Sequence, residues 1–306
     1  MRVAIVGAGA LGSVYGARLA LRGGCDVSVV ARVARSPSTV RLEKVDDGDV
    51  LLWPTGEARE RPPPDADVIL VFVRYEQLGD VAARLDCASA PVVVMTPMMP
   101  DDRDALTTAL PGRVVAAMPS VVAYRSEAGA IRYWLPRVAT TLVEERAHPG
   151  AEAELVQHLA HAGIPARLAP DVLERDVATT VSFLPLAMAL DAAGSTDALL
   201  ADRPLLALAI RAAAEGRALG ATVGKAEAWA STLLRFVGPR TLRLGVRLAR
   251  ARAPEAMAYV EHHFGRKLHA QNVAMAARTI ALARARGTPS AALSTLLVQL
   301  RARGDA

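Results

Sequence analysis

The stretch "VAIVGAGALGSVYGARLALRGGCDVSVVAR", residues 3–32, constrains the fold more than any other part of the chain. An apolar run ends in Gly7, Ala8, Gly9, Ala10, Leu11 and Gly12; a helical stretch over 11–23 and a second β-branched run, "VSVVA", follow. Glycines spaced G-x-G-x-x-G between a strand and a helix serve three purposes. The first permits a tight turn, the second lets the backbone approach a pyrophosphate, and the third allows helix and strand to pack closely. The helix then directs free N–H groups and the positive end of its dipole at the phosphates. The pattern predicts a βαβ dinucleotide-binding unit with residues 7–12 as its phosphate loop.

The residue closing the second run selects among dinucleotides. An acid there would accept hydrogen bonds from a ribose 2′-hydroxyl, whereas "VVAR" ends in Arg32, a guanidinium able to pair with a 2′-phosphate. Arg32 therefore favours NADP(H). Arg35, in the loop beyond, reads as a solvated charge.

Strand-like and helical segments keep alternating up to about residue 168. "DVILVFV" at 67–73 follows the proline-rich loop "RPPPDAD", a helix is expected near 77–86, and "PVVVM" at 91–95 reads as the next strand. Residues 130–144, "AIRYWLPRVATTLVE", read as two strands around a proline-containing turn, an antiparallel edge. A helix at 151–162 and a strand in "IPARLA" complete this half. From 169 onward Ala, Leu and Arg dominate at helical spacing, broken at Gly194, Pro204, Gly220, Gly238-Pro239, Pro254 and Gly287-Thr288-Pro289. The expected architecture is α/β: a Rossmann-type domain with a parallel sheet over 1–168, then an all-α domain over 169–306.

Other classes of protein fit poorly. Cys25 and Cys87 make neither a disulfide framework nor a metal-ligand spacing, and no metal site is expected. Three close glycines interrupt the N-terminal apolar run, which argues against a signal peptide, and no apolar run suggests a membrane span. A cytoplasmic location follows. The formal charge of +5 comes from arginine more than lysine, and the stripe Arg243, Arg247 and Arg250 lacks the aromatic or groove-reading neighbours that nucleic acid would want.

Taken together, "AIVGAGALGSVYGARLA", the strand ending in "VVAR", "ILVFVRYEQL" and the helical second half resemble the ketopantoate reductase family. The resemblance implies NADPH bound in a cleft between the two domains, with a small-molecule substrate beside it. Where the family carries a valine-lysine pair followed by glutamine, this chain has Val73, Arg74 and Gln77. The family's Asn-Gly pair after the next strand is replaced by Thr96-Pro97. The first helix of the second domain presents a lysine and two asparagines at four-residue intervals in the family; anchored on Pro185, those positions are Asp176, Thr180 and Leu184 here. Asn272 is the only asparagine in the chain, so no shift of alignment restores the pattern. Gln271 aligns with the family's glutamate near the cofactor ribose.

A helical triplet at i, i+4 and i+8 shares one face, where a lysine would donate a proton to a developing alkoxide and amides would orient the substrate. Asp176 cannot replace that cation. Substitute proton donors are His263 and His269 in "EHHFGRKLHAQN", where His262, Arg266 and Lys267 also lie, although a solvated polar face explains the cluster as well. The expectation is an NADPH-dependent reductase of a small carbonyl or imine compound other than ketopantoate. The alternative is a catalytically silent NADPH-binding protein, a sensor or a retired enzyme. An Ala/Leu-rich helical domain is also able to pair with a copy of itself as a homodimer.

Overall fold

The computed structural model describes residues 1–136, 139–146, 150–252 and 254–304, with the side chains at 228–231, 256, 262, 265, 266 and 304 left aside. The chain forms two compact units, Met1–Leu173 and Glu174–Ala306.

The first unit runs β1 (Arg2–Val6), α1 (Ala10–Leu21), β2 (Asp26–Val30), β3 (Ser38–Lys44), β4 (Val50–Thr55), β5 (Val68–Val71), α2 (Leu78–Val81), β6 (Val92–Val94) and α3 (Pro100–Ala109). It continues with β7 (Val114–Met118), β8 (Val122–Arg125), β9 (Ile131–Trp134), β10 (Thr141–Glu144), α4 (Ala151–His161) and β11 (Ala166–Ala169). Seven strands form one sheet in the order β11-β10-β7-β6-β5-β1-β2. From β2 to β7 every pairing is parallel, and β10 turns antiparallel to β7. Strands β1 and β5 are almost wholly buried, as strands covered on both faces must be. The order reverses at β1, which puts a crevice beyond the carboxyl ends of β1 and β5.

A second sheet, ordered β4-β3-β9-β8, covers the outer side of α1. The sequence reading did not find it. Its β3–β4 hairpin buries Leu42, Leu51 and Trp53. Pro54 falls on β4, the edge strand, where its missing N–H costs no ladder bond. The Trp53 ring fills the space a β-carbon on Gly16 would need, 2.6 Å away. Enclosed on both sides, α1 buries even Arg18, whose Nε donates to the Ala162 carbonyl at 2.7 Å and whose Nη1 donates to the Tyr133 hydroxyl at 3.0 Å.

Two local expectations are corrected here. The strands expected to pair across residues 130–144 are β9 and β10, and they lie in different sheets. Ile131 and Tyr133 of β9 alternate with less buried neighbours, suiting a one-sided sheet, whereas Thr141, Leu142 and Val143 of β10 are continuously buried, suiting an interior strand. The helix expected near 77–86 is broken into 3₁₀ turns at Tyr75–Gln77 and Ala82–Arg84 around the single turn of α2. Gly79 lies in that turn and weakens its helical propensity.

The second unit holds α5 (Val172–Ala193, beginning two residues earlier), α6 (Thr196–Ala201), α7 (Arg203–Val223), α8 (Ala228–Arg235), α9 (Pro239–Arg252), α10 (Pro254–His262), α11 (His269–Ala285) and α12 (Ala291–Gly304). Gly220, read as a break, lies inside α7. A β-carbon there would stand 2.9 Å from the Ala178 carbonyl oxygen, and one on Gly216 would stand 2.3 Å from that of Val181. These glycines let α7 approach α5 closely. Helix α5 is long and apolar enough to cross a bilayer by length and composition, which the sequence reading did not anticipate. Of its most apolar window 67% is buried inside the protein, as an apolar helix at the centre of a helical unit should be.

Candidate functional site

The glycine-rich loop of residues 7–12 joins β1 to α1 at the carboxyl end of the parallel sheet. Gly7 adopts φ +88°, and its N–H donates to the Val30 carbonyl at 3.3 Å, tying the turn to the end of β2. A β-carbon on Gly7 would lie 2.6 Å from the Phe72 carbonyl oxygen, and one on Gly12 would lie 2.4 Å from that of Gly7. A β-carbon on Gly9 would meet nothing within 4 Å. Two of the three glycines are thus required by the protein's own backbone, whereas Gly9 faces open space. Gly9 is also the N-cap of α1 and offers no capping side chain, and no acid stands in the first turn. The N–H groups of that turn and the positive helix end suit an anionic group. Ala8, Ala10 and Leu11 line the same loop, partly buried.

At the end of β2, Arg32 is exposed. The backbone around it is pinned: Ala31 N–H donates to the Arg59 carbonyl at 2.8 Å, Arg84 Nη2 donates to the Ala31 carbonyl, and Arg35 and Ala58 exchange backbone hydrogen bonds of 3.1 and 2.9 Å. Among the described residues neither Arg32 nor Arg35 forms an ion pair. The sequence reading missed Arg84, whose role depends on a contact 53 residues away.

Beyond β5 and β6 the candidate side chains have partners within the chain. Thr96 is buried and its hydroxyl donates to the Val73 carbonyl at 2.6 Å, joining the ends of two strands. Gln77 Oε1 accepts from the Arg74 N–H at 3.2 Å and caps the short turn there. The half-exposed Arg74 guanidinium lies 3.3 Å from Glu76.

In the second unit Asp176 is buried, and the Thr180 hydroxyl donates to its Oδ1 at 3.4 Å. Leu184, one turn on, is 5% exposed. Beside them Arg175 pairs with Glu227 at 3.1 Å. Gln271 is half-buried near the start of α11. The His263 ring packs against Tyr259, 4.8 Å between centroids, and edge-on to Phe264 at 5.0 Å. Burial pushes the Tyr259 phenol well above its ordinary range. His269 Nδ1 lies 3.1 Å from Asp191 Oδ2. The side chains of His262 and Arg266 lie outside the described residues, and Lys267 is exposed. In the basic stripe, Arg250 binds Asp197 at 2.6 Å and Glu261 at 2.9 Å, while Arg243 donates to the Leu200 carbonyl. Among the described residues no group of three or more His, Cys, Asp or Glu side chains is arranged to hold a metal ion.

Residues 3–139 match the family described as Ketopantoate reductase PanE/ApbA. No curated protein matches the sequence. Of the solved structures, a PanE/ApbA family ketopantoate reductase from Ralstonia eutropha JMP134 is 21% identical, with a TM-score of 0.69 over 100% of this chain and 99% of its own. A dimeric ketopantoate reductase from Staphylococcus aureus is 14% identical, with a TM-score of 0.71 over 99% and 98%. A D-mandelate dehydrogenase solved with NADH and anilino(oxo)acetate is 14% identical, with a TM-score of 0.65 over 100% and 98%. Residues 3–139 match the ketopantoate reductase family model, and the chain along its whole length has the fold of the solved ketopantoate reductases.

Proposed function

We propose that the protein is an NADP(H)-dependent reductase of a small carbonyl or imine compound other than ketopantoate. The observation that carries the dinucleotide reading is the open side of Gly9 between two glycines that the backbone itself closes. A pyrophosphate fits that position, held by the N–H groups of residues 7–12 and the end of α1. Arg32 supports NADP(H) over NAD(H), since it presents an exposed guanidinium where a 2′-phosphate would lie. Arg74 adds a second cation beyond β5. A reduced nicotinamide bound to the first unit would supply the hydride. Residues 1–168 then form the cofactor domain, and residues 169–306 form the substrate and dimerisation domain.

The substrate differs from ketopantoate because the positions that the family gives to a lysine and two asparagines carry an acid, a hydroxyl and an isobutyl group. Asp176 and Thr180 are hydrogen-bonded to each other. The same pairing favours the second reading, a dinucleotide-binding protein without turnover. A homodimer is consistent with the dimeric relative from Staphylococcus aureus. Two free cysteines, one of them exposed, suit a reducing cytoplasm. Fluorescence titration with NADPH and NADH, followed by NADPH consumption across 2-oxo acids, aldehydes and cyclic imines, tests both readings. Tighter binding of NADPH with turnover of one acceptor class supports the reductase; tight binding with no turnover supports the silent binder.

A further inference from the structure

Strand β2 ends at Val30, and a segment from a later loop continues its edge. Val30 and Arg59 form a parallel bridge, the Arg59 N–H donates to the Val29 carbonyl at 3.0 Å, and the Ala31 N–H donates to the Arg59 carbonyl at 2.8 Å. The next bond in such a ladder would run from the Arg61 N–H to the Ala31 carbonyl. The chain bends at Glu60 and Arg61 instead, ahead of Pro62. Arg84 takes that place. Its Nη2 donates to the Ala31 carbonyl and, at 2.7 Å, to the Glu60 carbonyl. One guanidinium nitrogen thus closes the ladder one residue short of Arg32.

Arg84 is the last residue of the 3₁₀ turn Ala82–Arg84, in the connection from β5 to β6, and that connection is tied to the same loop at two further points. Arg61 lies 3.3 Å from Asp86, and the Cys87 Sγ donates to the Pro62 carbonyl at 3.7 Å. The half-buried Arg84 pairs with no carboxylate among the described residues, and neither do the exposed Arg32 and Arg35. Beyond Arg32, Arg35 and Ala58 exchange two backbone hydrogen bonds. Residues 32–34 are therefore a short exposed span anchored at both ends, and the carbonyl at its near anchor rests on the Arg84 side chain. The peptide plane that holds the Ala31 carbonyl also holds the Arg32 N–H, so a bond to that carbonyl fixes the peptide from which the Arg32 side chain departs. A guanidinium that recognises a phosphate has to be held to within about half an ångström, which makes this support part of the recognition.

We propose that Arg84 is a positioning residue that sets the preference for NADP(H): by holding the peptide between Ala31 and Arg32, it presents Arg32 to the 2′-phosphate. The inference rests on the reading of Arg32 as the partner of that phosphate, and it needs no turnover to be tested.

The test is fluorescence titration of the full chain with NADPH and NADH, with a thermal melt of each variant. In Arg84→Met, which keeps the aliphatic stem and loses the donor, NADPH affinity should fall about tenfold while NADH affinity changes less than about twofold. Arg84→Lys keeps the charge without the rigid fork and should fall between the two; it carries the test if Arg84→Met does not fold. Once Arg32 is replaced, Arg84 has nothing left to position, so Arg32→Ala and the double variant Arg32→Ala, Arg84→Met should bind NADPH alike. An unchanged preference in the Arg84 variants overturns the proposal, and so does an equal loss of NADPH and NADH, the mark of a purely structural role. Losses that add in full in the double variant overturn it as well. Equal affinities for the two nucleotides in the unmodified protein would refute the NADP(H) reading and the proposal together, whereas a preference kept in Arg84→Met refutes the proposal alone.

Discussion

The carbonyl oxygen of Gly7 lies 2.4 Å from the position a β-carbon on Gly12 would occupy, whereas a β-carbon on Gly9 would touch nothing. The two substitutions should therefore separate folding from binding. Gly12→Ala must push the helix away from the strand turn, at a cost of about 1–3 kcal/mol or more. Gly9→Ala should shift stability by no more than about 0.5 kcal/mol, as for an open surface site, yet weaken NADPH strongly by blocking the approach of the pyrophosphate. Thermal melts paired with NADPH titrations check this. Equal stability losses in both variants would refute the distinction.

Arg32 makes no ion pair among the described residues, so removing it should cost the fold little. Arg32→Asp should weaken NADPH by roughly 10- to 100-fold, the loss of a charge-assisted contact of about 1.5–3 kcal/mol, and should affect NADH much less. Direct titration of both nucleotides decides it. Equal affinities for NADPH and NADH in the unmodified protein would sink the assignment.

Tyr15 ties α1 to β10 through its hydroxyl, 2.7 Å from the Thr141 hydroxyl, and the Ser120 N–H donates to it at 3.2 Å. Burial raises the Tyr15 phenol above its ordinary value, more than these partners lower it. A raised folded pKa means the protonated form favours the fold. That contribution is fully present below about pH 10, the unfolded value, and is lost as pH rises from there through the folded pKa. Tyr15→Phe should cost about 1–3 kcal/mol at neutral pH by leaving buried polar partners short of a bond. Its loss of stability above pH 10 should be shallower than in the unmodified protein, the remainder coming from the Tyr259 phenol and the Cys25 thiol, both of which burial also raises. Urea unfolding at pH 8 and pH 10.5 measures both effects.

The sequence made the parallel sheet legible because its strands announce themselves as short β-branched runs between helical stretches. It hid the second sheet, whose strands alternate and hold charged residues such as Arg41 and Glu43. A signal was present, since "VDDGD" separates "STVRLEK" from "VLLWPT" as a hairpin turn would. The pairing of β9 with β3, by contrast, joins Leu42 to Ile131 across the chain, and no local pattern encodes it. The same holds for Asp191. Read alone it is an acid at the end of an apolar helix, and only the packing of α11 gives it a histidine and an asparagine.

Asp176, Thr180 and Leu184 stand where the family likeness calls for a lysine and two asparagines, and Asp176 is buried with the Thr180 hydroxyl on its carboxylate. A carboxylate there cannot protonate an alkoxide at neutral pH, and the missing donor should cost about 10²- to 10⁴-fold in rate. The purified protein should show no meaningful ketopantoate reduction. Asp176→Lys alone should restore little, since Leu184 leaves a substrate polar group unpaired at about 1–3 kcal/mol. It also places an amine in a buried position, where desolvation disfavours the charged form. The triple variant Asp176→Lys, Thr180→Asn, Leu184→Asn should recover more than the single, because groups acting as one unit contribute non-additively. Steady-state NADPH oxidation with ketopantoate measures all three proteins. Robust turnover by the unmodified chain would show that the proton comes from elsewhere, and His269→Gln would then be the first variant to assay.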